Sequence, residues 1–490
     1  MPKITLTEVD NTSPVAEALS EDIVFVPGFA DLNSNVYIST SAPTTATVGA
    51  VFEAGDTVDT ERAAGVAPSL YYDSSTMKSY KCTAIAGDSE KTYTWTELTG
   101  DDVIVPHNES GEPVLCYSVE EFEEAFGKAP RKLKDGTIDL SYLMAKEYLT
   151  LGLPVAYSAF YKRSTAGARE DVDATVVTSG IKAVLNDIAD PGYIYVRYLT
   201  NGAYPVYQTT DETLTDNVKA YLDCAKSRQD AYVVLDHEKT ATIDYDTWMG
   251  KMRAVFKDVS GGKGLGTNRA SLFTPWATYG ITNLGSDELT GNFILPASFG
   301  YIVCLARSIA ANNPAYMAVS GVARGRCPFI KNLYVTNRLT NKIANETLQS
   351  DTEISVNPIT EIKPYGLTIW GNNTLADNNA TKGRSATSYL NIRNLVCRVM
   401  KLLRDAATRI IFEPNTDALW VTFKGLVMPT LDAMVSGQGL KTYNIVRQPS
   451  SDNTEVKAKI YLVPVYAVEK VTLEVVLAND GTVELVGGNA

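Results

Sequence analysis

Apolar residues recur at three- and four-residue steps near the C-terminal end of the chain, between Tyr389 and Ile410. At about 100° per residue these positions lie on one side of a helix, so the pattern predicts an amphipathic helix over Tyr389–Arg409. The apolar stripe consists of Ile392, Leu395, Val396, Val399, Leu402, Leu403, Ala406 and Ile410. The opposite side, called the basic arc below, carries Arg393, Arg398, Lys401, Arg404 and Arg409, with Asp405 as the acidic residue of the segment.

Short apolar runs alternate with helical patterns in the first half of the chain. Strands are predicted at Ile23–Ala30, Pro154–Tyr161, Tyr193–Leu199 and Ala231–Asp236, and helices at Ser118–Gly127, Leu140–Leu149 and Leu214–Cys224. Ser118 is a suitable N-cap residue, and Glu121 stands at the capping-box position three residues later. This alternation predicts an α/β (α+β) multidomain fold, in which mixed sheets are flanked by helices.

Residues 31–105 interrupt that alternation with a segment rich in Thr, Ser, Ala and Gly. Within it, Ser69–Leu98 alternates aromatic and polar residues around small turns, which predicts a small all-β domain inserted into a loop. Its aromatic residues are Tyr71, Tyr72, Tyr80, Tyr93 and Trp95. They either fill the core of this small domain, which we favour, or form a stacking platform for a glycan.

Both termini carry short alternating runs that predict extended strands. The N-terminal run places Ile4, Leu6 and Val9 at apolar positions. The C-terminal run places Val471, Leu473, Val475 and Leu477 before the turn Asn479-Asp480-Gly481, and with Thr482–Val486 after the turn it predicts a β-hairpin. Strands this short need an edge to pair with, and exposed edges attract other chains. The two arms therefore pair either with neighbouring subunits or with their own subunit.

The basic arc contrasts with the composition of the whole chain, which has 57 Asp and Glu against 44 Lys and Arg and a net charge of −13. An acidic surface disfavours general nucleic-acid binding, which needs clustered cations. The basic arc is either a solvated helix face or a surface that meets an acidic partner.

The six cysteines are scattered without a Cys-x-x-Cys pair, as expected of buried small hydrophobes: Cys82, Cys116, Cys224, Cys304, Cys327 and Cys397. Apolar runs of 18 or more residues and a signal-peptide pattern are both missing, so we expect cytoplasmic synthesis and no membrane insertion.

Catalytic patterns are weak throughout the chain. The two histidines, His107 and His237, fall in different predicted domains, which disfavours a triad or a two-His metal site. Asp236-His237-Glu238 follows a predicted strand and is the best catalytic candidate, although no nucleophile elbow accompanies it. The glycine-rich loop Gly261–Thr267 lacks the P-loop spacing, because Lys257 and Gly264 occupy two required positions. We therefore predict no catalytic residue, no metal site and no cofactor.

Motifs around the predicted basic helix carry a family resemblance. Ile354–Leu375 (ISVNPITEIKPYGLTIWGNNTL) precedes the helix, and Ile410–Tyr443 (IIFEPNTDALWVTFKGLVMPTLDAMVSGQGLKTY) follows it. Further motifs come earlier in the same order: LFTPWA from Leu272, LPASFGY from Leu295 and NPAYMAVSGVARG from Asn313. Together they resemble the C-terminal half of contractile phage tail sheath proteins. The resemblance covers about half the chain, from Leu272 to Tyr443.

The resemblance implies a structural, non-enzymatic subunit that stacks as rings, with six-fold symmetry, around an inner tail tube. It implies that the basic arc contacts the tube, that the terminal arms pair with neighbouring subunits, and that contraction drives the tube through the host envelope. Expected partners are further copies of the chain, the tube protein, and baseplate and terminator proteins, without direct nucleic-acid contact. The expected location is the virion tail.

The predicted divisions are an arm at 1–20, a core part at 21–30 and 106–165, the insertion at 31–105, a middle domain at 166–335, a tube-facing domain at 336–470 and an arm at 471–490. The alternatives are another self-assembling tail or baseplate protein, an α/β enzyme, or a nucleic-acid binder using the basic arc.

Overall fold

A computed structural model of the chain describes residues 22–29, 36–39, 41–49, 51, 70–73, 75–76, 78–88, 90–99, 111–127, 139–160, 174–203, 216–259, 267–281, 291–336, 339–340, 342–376, 378, 384–450 and 454–469. The strands are β1 (Val24–Phe29), β2 (Val36–Ser39), β3 (Leu70–Asp73), β4 (Lys78–Ala86), β5 (Thr92–Glu97), β6 (Val114–Cys116), β7 (Val155–Phe160), β8 (Tyr198–Thr200), β9 (Tyr232–Asp236), β10 (Ala270–Thr274), β11 (Ala277–Ile281), β12 (Gly291–Leu295), β13 (Ile330–Leu333), β14 (Asn357–Ile362), β15 (Gly366–Ile369), β16 (Leu440–Gln448) and β17 (Lys457–Pro464). The α-helices are α1 (Val119–Phe126), α2 (Leu140–Thr150), α3 (Ala174–Ile188), α4 (Asp216–Arg228), α5 (Tyr245–Val259), α6 (Ala297–Ala310), α7 (Gly321–Arg324), α8 (Leu390–Ile410) and α9 (Asp417–Ser436).

An eight-stranded mixed sheet forms the centre of the described molecule, in the order β15-β14-β10-β9-β8-β1-β7-β6. The inner strands from β14 to β7 run parallel, and the two outermost strands pair antiparallel. Parallel strands of this kind are buried on both faces and read as continuous apolar runs. All side chains of β8, β9 and β10 are buried accordingly.

Helices cover both faces of this sheet, and the strands alternate their side chains between the two layers. Val24 and Val26 of β1 pack with α1, α2 and α6 on one face. Phe25 packs with α3, α4 and α5 on the other face. The predicted mixed α/β architecture is confirmed.

Three smaller sheets accompany the central one among the described residues, and two of them precede the C-terminal part. Strands β12, β11 and β13 form a three-stranded antiparallel sheet next to α6. Strands β2 to β5 form a separate four-stranded sheet within the region predicted as an inserted domain. In that sheet Tyr71 and Tyr93 are buried, and the Trp95 ring packs edge-on against Tyr71 at 5.5 Å between centroids. Trp95 also donates from Nε1 to the carbonyl of Thr47. These contacts favour the core interpretation of the aromatic residues over a glycan platform.

The C-terminal part consists of the antiparallel helix pair α8 and α9 and the two-stranded sheet of β16 and β17. Its core is a third cluster, formed by Leu395 and Val399 of α8, Val427 and Leu431 of α9, and Leu440. Thr416 caps α9 by accepting from the Leu419 amide. By length and composition α9 is a candidate membrane span, yet Phe423, Val427, Leu431 and Met434 pack it onto the rest of this part.

Most predicted elements match the structure within two residues. The helix predicted to end at Cys224 continues for four more residues, to Arg228. Of the predicted strand Tyr193–Leu199, only Tyr198 and Leu199 belong to β8, which ends at Thr200. The chain before it includes a turn, in which the Tyr193 amide donates to the Asp190 carbonyl. The predicted divisions at 165 and 335 pass through one sheet, since β7, β10 and β14 share it. The predicted arms at 1–20 and 471–490, His107 and the loop Gly261–Gly266 lie outside the described residues.

Candidate assembly interface

The basic arc of α8 lies against the amino-terminal ends of the parallel strands. Helix α8 turns Leu395 and Val399 towards α9, as the apolar stripe predicted. The opposite side faces three polar residues that immediately precede buried strands: Asp22 before β1, Asp230 before β9 and Asn268 before β10. The arc therefore covers the amino-terminal ends of strands β1, β9 and β10.

Arg393 is buried, with 4% of its surface exposed. Its Nε donates to the Asn268 carbonyl at 2.8 Å. Burial disfavours the charged form and lowers the pKa of Arg393 to about 10. The predicted tube contact of Arg393 stays a prediction, and in this structure the side chain lies inside the molecule, where it cannot touch a partner without moving outwards.

Arg398 forms an ion pair with Asp22, whose side chain is 1% exposed. The Tyr198 hydroxyl donates to the same Asp22 oxygen at 2.6 Å, and Arg197 Nε lies 4.0 Å from it. Burial opposes the charge on Arg398, but the Asp22 carboxylate, together with Tyr198 and Tyr195, outweighs it, and the pKa of the guanidinium is raised well above its usual value. The acidic partner of Arg398 is thus in the same chain.

Arg404 repeats this arrangement six residues further along α8. Its Nη1 lies 2.5 Å from Asp230 Oδ2, and its Nη2 donates to the Arg228 carbonyl. Asp230 is also 1% exposed and accepts from Arg228 Nε at 3.0 Å. Arg398 and Arg404 therefore fasten α8 to the central sheet through two buried carboxylates.

Three members of the arc are partly or fully exposed, since Arg404 also keeps 33% of its side chain in solvent. Lys401 pairs with Asp405 one turn further on, and its ammonium lies 4.7 Å from the centre of the Tyr195 ring. Arg409 is exposed in the last turn of the helix. The tube contact stays a prediction, and Lys401 and Arg409, with the partly exposed Arg404, are the arc residues that can reach a partner.

Exposed apolar side chains concentrate in the C-terminal part. Of fourteen large apolar residues that are exposed in the described chain, nine lie between 411 and 468: Ile411, Phe412, Val421, Met428, Tyr461, Val463, Val465, Tyr466 and Val468. Exposed apolar side chains that concentrate in one part of a chain are typical of interaction sites. Sequence reasoning missed this surface, although the high proportion of apolar residues in Asp417–Ser436 was a usable signal.

Phe412 is the most unusual member of this apolar surface. Its side chain is 103% exposed, and its backbone φ of +69° lies in the left-handed region. That conformation ends many helices, but glycine normally occupies it because a side chain is strained there. An aromatic ring held in solvent by a strained backbone indicates a functional contact.

The β16–β17 hairpin presents open edges. Neither strand pairs with any other strand in the part of the chain that the structure describes. Along β17, Ile460 and Leu462 are half-buried while Tyr461 and Val463 on the other face are exposed. Within the described residues the hairpin thus combines unpaired strand edges with an exposed apolar face, and both features are typical of strands that pair with another chain.

The catalytic candidates are part of the core. Asp236 is fully buried and accepts from the Ser298 amide at 2.7 Å, at the start of α6. Burial raises its pKa to about 7 despite the amide hydrogen bonds. His237 is also buried, with its ring 4.5 Å from that of Trp248 and its Nδ1 2.7 Å from the Glu238 carbonyl. These contacts describe a packed strand end.

The cysteines and two acidic residues of α1 make contacts that belong to the packing of the fold. All six cysteines are free and buried, as predicted. Among the described residues no group of three or more His, Cys, Asp or Glu side chains is arranged to hold a metal ion. Of the acidic cluster on α1, Glu121 accepts from the Tyr117 amide and Glu123 pairs with Lys146 of α2. Ser118 accepts from the Glu121 amide, which confirms the predicted N-cap.

Comparison with known proteins identifies the fold. No protein-family model matches the chain. The tail sheath protein of Vibrio phage KVP40 is 26% identical over 167 residues, which are 33% of this chain and 23% of that protein. The chain thus matches about a quarter of the length of this curated relative.

Solved structures match over a much larger part. The sheath of the extracellular contractile injection system PVC, in its contracted state, aligns with a TM-score of 0.53 at 16% identity, over 76% of this chain and 88% of that one. The six-fold symmetrised baseplate structure of the anti-feeding prophage contains a chain that aligns with a TM-score of 0.51 at 15% identity, over 75% of this chain and 88% of that one. The central sheet with its helices is therefore the fold found in contractile sheath assemblies, and the resemblance to the contractile tail sheath family that the sequence motifs predicted is confirmed.

Proposed function

We propose that this protein is the structural subunit of a contractile tail sheath, in a phage tail or a related injection machine. Subunits stack as rings around an inner tail tube, and contraction of the stack drives the tube through the host envelope. The observation that carries this proposal is the sheath fold over three quarters of the chain. The concentration of exposed apolar side chains in residues 411–468 supports it, since such a surface needs partners.

The terminal arms join neighbouring copies in this proposal. The open edges of β16 and β17 accept strands from the segments around Ile4–Val9 and Val471–Leu477 of other subunits. Such contacts are heterologous, because an edge receives a strand that comes from elsewhere on the neighbouring copy. Heterologous contacts that do not close into a ring generate helical polymers.

The tube contact uses the exposed end of the basic arc, with Lys401 and Arg409 facing acidic residues of the tube protein. Exposed ion pairs contribute only about 0–1 kcal/mol each. Repeated over many subunits, weak pairs hold the sheath in place and still release one by one. Buried pairs such as Arg398–Asp22 would release less readily, because each separated ion loses its partner in a buried site.

Electron microscopy of the purified protein tests the proposal. We expect wide, striated tubes in negative stain, formed without nucleotide or metal ion. Particles that stay monomeric under all salt and pH conditions would contradict a sheath function. The double variant Lys401→Glu/Arg409→Glu should still form such tubes alone but should no longer coat purified tail tubes, whereas unchanged coating would contradict the tube contact.

A baseplate component is the second candidate, because one matched structure is a baseplate. A baseplate protein occupies a fixed number of positions and forms rings of limited size, whereas a sheath subunit polymerises without a set length. Sedimentation of the purified protein at increasing concentration distinguishes the two. Growth of polymers with concentration is the expected result for a sheath.

A further inference from the structure

We propose that the exposed face of the β16–β17 hairpin docks on helix α1 of a second copy of this chain. Two lysines of the hairpin, Lys457 and Lys459, pair there with two glutamates of α1, Glu120 and Glu124. This inference rests on the proposed sheath function, and it adds a contact between subunits that uses neither the strand edges of the hairpin nor the basic arc.

The exposed face of the hairpin, called the hairpin face below, is defined by the register of its two strands. Residues directly opposite each other in an antiparallel pair share a face, and Lys459 lies opposite Val446. The other side carries Ile445 and Leu462, which pack on the core of α8 and α9. The hairpin face is therefore the side turned away from that core. Its members are Thr442, Asn444, Val446, Gln448, Lys457, Lys459, Tyr461 and Val463.

The hairpin face is basic and partly apolar in a chain whose net charge is −13. It carries two lysines and no carboxylate, and Tyr461 and Val463 keep 48% and 44% of their surface exposed. The Lys459 ammonium lies 5.3 Å from the centre of the Tyr461 ring, which favours its position on this face. Lys457 pairs with Glu455 near the turn, but both side chains are about half exposed, and such pairs are weak. The partner that fits this face is an acidic surface with an apolar residue beside it.

Helix α1 offers an acidic surface of this kind. Glu120 and Glu124 are exposed, and neither forms an ion pair within the described residues. The other two glutamates differ, since Glu121 accepts from a backbone amide and Glu123 pairs with a lysine of α2. The buried side of the helix, which includes Phe122, packs on β6 and α2 of its own chain. The two exposed carboxylates are thus on the side that a second copy can reach.

The positions of these two glutamates are unfavourable for the isolated helix. Glu120 and Glu124 stand four residues apart, so two like charges are neighbours on the helix surface. Glu124 also lies in the last turn of α1, where the helix dipole disfavours a carboxylate. Cations of another chain placed opposite offset both effects. Docking of the hairpin face therefore relieves a repulsion that the single chain leaves uncompensated.

The spacing of the charges also matches between the two surfaces. Residues four apart on a helix are separated by about 6 Å along its axis, and residues two apart on an antiparallel strand by about 7 Å. The two glutamates can therefore meet the two lysines one to one. With Glu120 opposite Lys459, the exposed aromatic residues are aligned as well. Tyr117, which is 51% exposed just before α1, then falls at the same end of the contact as Tyr461.

A contact of this kind supports polymer growth. The hairpin face and α1 are different surfaces, and every copy offers both, so the contact repeats from copy to copy without closing pairs of copies into dimers. Because the charges are exposed, salt screens them, and the contact should weaken as ionic strength rises.

The experiment uses two charge-reversal variants of the full-length chain, Lys457→Glu/Lys459→Glu and Glu120→Lys/Glu124→Lys. Copies of either variant bring like charges together, so polymer yield, measured by sedimentation and electron microscopy, should fall at least about tenfold for each variant alone. In an equal mixture, each hairpin face meets an α1 of opposite charge on the other variant. The yield of the mixture should therefore return to within about threefold of the wild type. Such recovery requires a contact between chains, since a contact within one chain would stay repulsive.

A matched control changes the net charge by the same amount elsewhere. Lys182 in α3 and Lys251 in α5 are exposed, and Lys182→Glu/Lys251→Glu should keep a polymer yield within about twofold of the wild type. Circular dichroism should show the same thermal unfolding for all three double variants, because the substituted side chains are exposed. A loss of yield in the control equal to that of the reversal variants would assign the effect to net charge and overturn the proposal.

Neutral variants keep the proposal falsifiable where a charge-reversal variant does not fold. Lys457→Gln/Lys459→Gln and Glu120→Gln/Glu124→Gln remove the attraction without adding repulsion, and each should lower the polymer yield at least about threefold. Wild-type yield from both would overturn the proposal.

Two further results would contradict the contact. Loss of yield in the hairpin variant together with wild-type yield in the α1 variant would show that another surface covers the hairpin face. Loss in both variants that their mixture does not restore would show that the two surfaces do not meet. A wild type that forms no polymer contradicts the sheath function and this contact with it, whereas a wild type that polymerises together with both reversal variants contradicts the contact alone.

Discussion

The central sheet and the C-terminal hairpin are both β-structure, yet they differ in how far one chain completes them. In β8, β9 and β10 every side chain is buried, and each strand has a partner on both sides. In β17 the side chains alternate between exposed and half-buried, and β16 is its one partner among the described strands. Within the described residues, one chain thus supplies every strand partner of β8, β9 and β10 and buries their side chains. It leaves strand edges unpaired and side chains exposed in the hairpin.

This difference separates stability from assembly. Substitutions in the central sheet should act on the free energy of unfolding, because tightly packed interiors tolerate lost volume poorly. Substitutions on the surface of residues 411–468 should act on polymer formation with little effect on the monomer. The proposed sheath function needs both properties, since such a subunit has to stay folded while its contacts with neighbours rearrange.

The largest expected effect follows from Phe273→Ala in β10. Phe273 is fully buried and stacks on Tyr301 with 4.6 Å between ring centroids. The cavity left by alanine should lower the free energy of unfolding by about 3–5 kcal/mol, as measured by urea denaturation of the monomer. Val463→Ala in β17 is the control and should change that free energy by less than about 0.5 kcal/mol. Similar losses from both variants would remove the distinction between the two regions.

A smaller effect that depends on pH is expected from Asp236→Asn, which tests how closed the central sheet is to water. The pKa of Asp236 is raised from 3.8 to about 7, so the folded chain holds a proton that the unfolded chain releases. The stability from this group is fully present below about pH 4 and is lost as pH rises through 7. Asparagine stays neutral and can still accept from the Ser298 amide. The free energy of unfolding of Asp236→Asn should therefore rise relative to that of the wild type between pH 4 and 8, by as much as about 4 kcal/mol.

Urea denaturation of both proteins across this pH range measures the effect of Asp236→Asn. Asp244→Asn is the control with the opposite sign, since hydrogen bonds from Thr247 lower the pKa of Asp244. Ionisation of Asp244 should stabilise the folded chain as pH rises. The free energy of unfolding of Asp244→Asn should therefore fall relative to that of the wild type. A pH-independent difference between wild type and Asp236→Asn would show that Asp236 is open to solvent.

The elements that sequence reasoning placed well are those whose signal is local. Helix α8 was predicted at Tyr389–Arg409 and is found at Leu390–Ile410, because its apolar spacing spans nearly six turns. Strand β9 was predicted within one residue, since a run of apolar residues suffices for a strand buried on both faces. Recognition of the sheath fold rested on the order of several motifs, each weak alone.

The partners of the basic arc were beyond local reasoning. Asp22 and Asp230 lie 376 and 174 residues from the arginines they bind, and only the folded sheet brings them together. A row of cations on a helix indicates an acidic group opposite. It does not indicate whether that group belongs to the same chain or to another protein. A signal was nevertheless available, because parallel strands begin at one edge of a sheet and both aspartates immediately precede apolar strands.

The smallest change in stability, and the sharpest contrast between the two regions, is expected from Phe412→Gly. Glycine adopts the left-handed conformation of this position without strain, so the monomer should gain up to about 1 kcal/mol. Assembly should fall, because the fully exposed ring is lost from the apolar surface. Phe412→Ala keeps the strained backbone and removes the ring, so it should reduce assembly equally without the gain in stability. If polymer yield rose with monomer stability in Phe412→Gly, the ring would have no role in contacts between subunits, and its exposure would be a cost without a function.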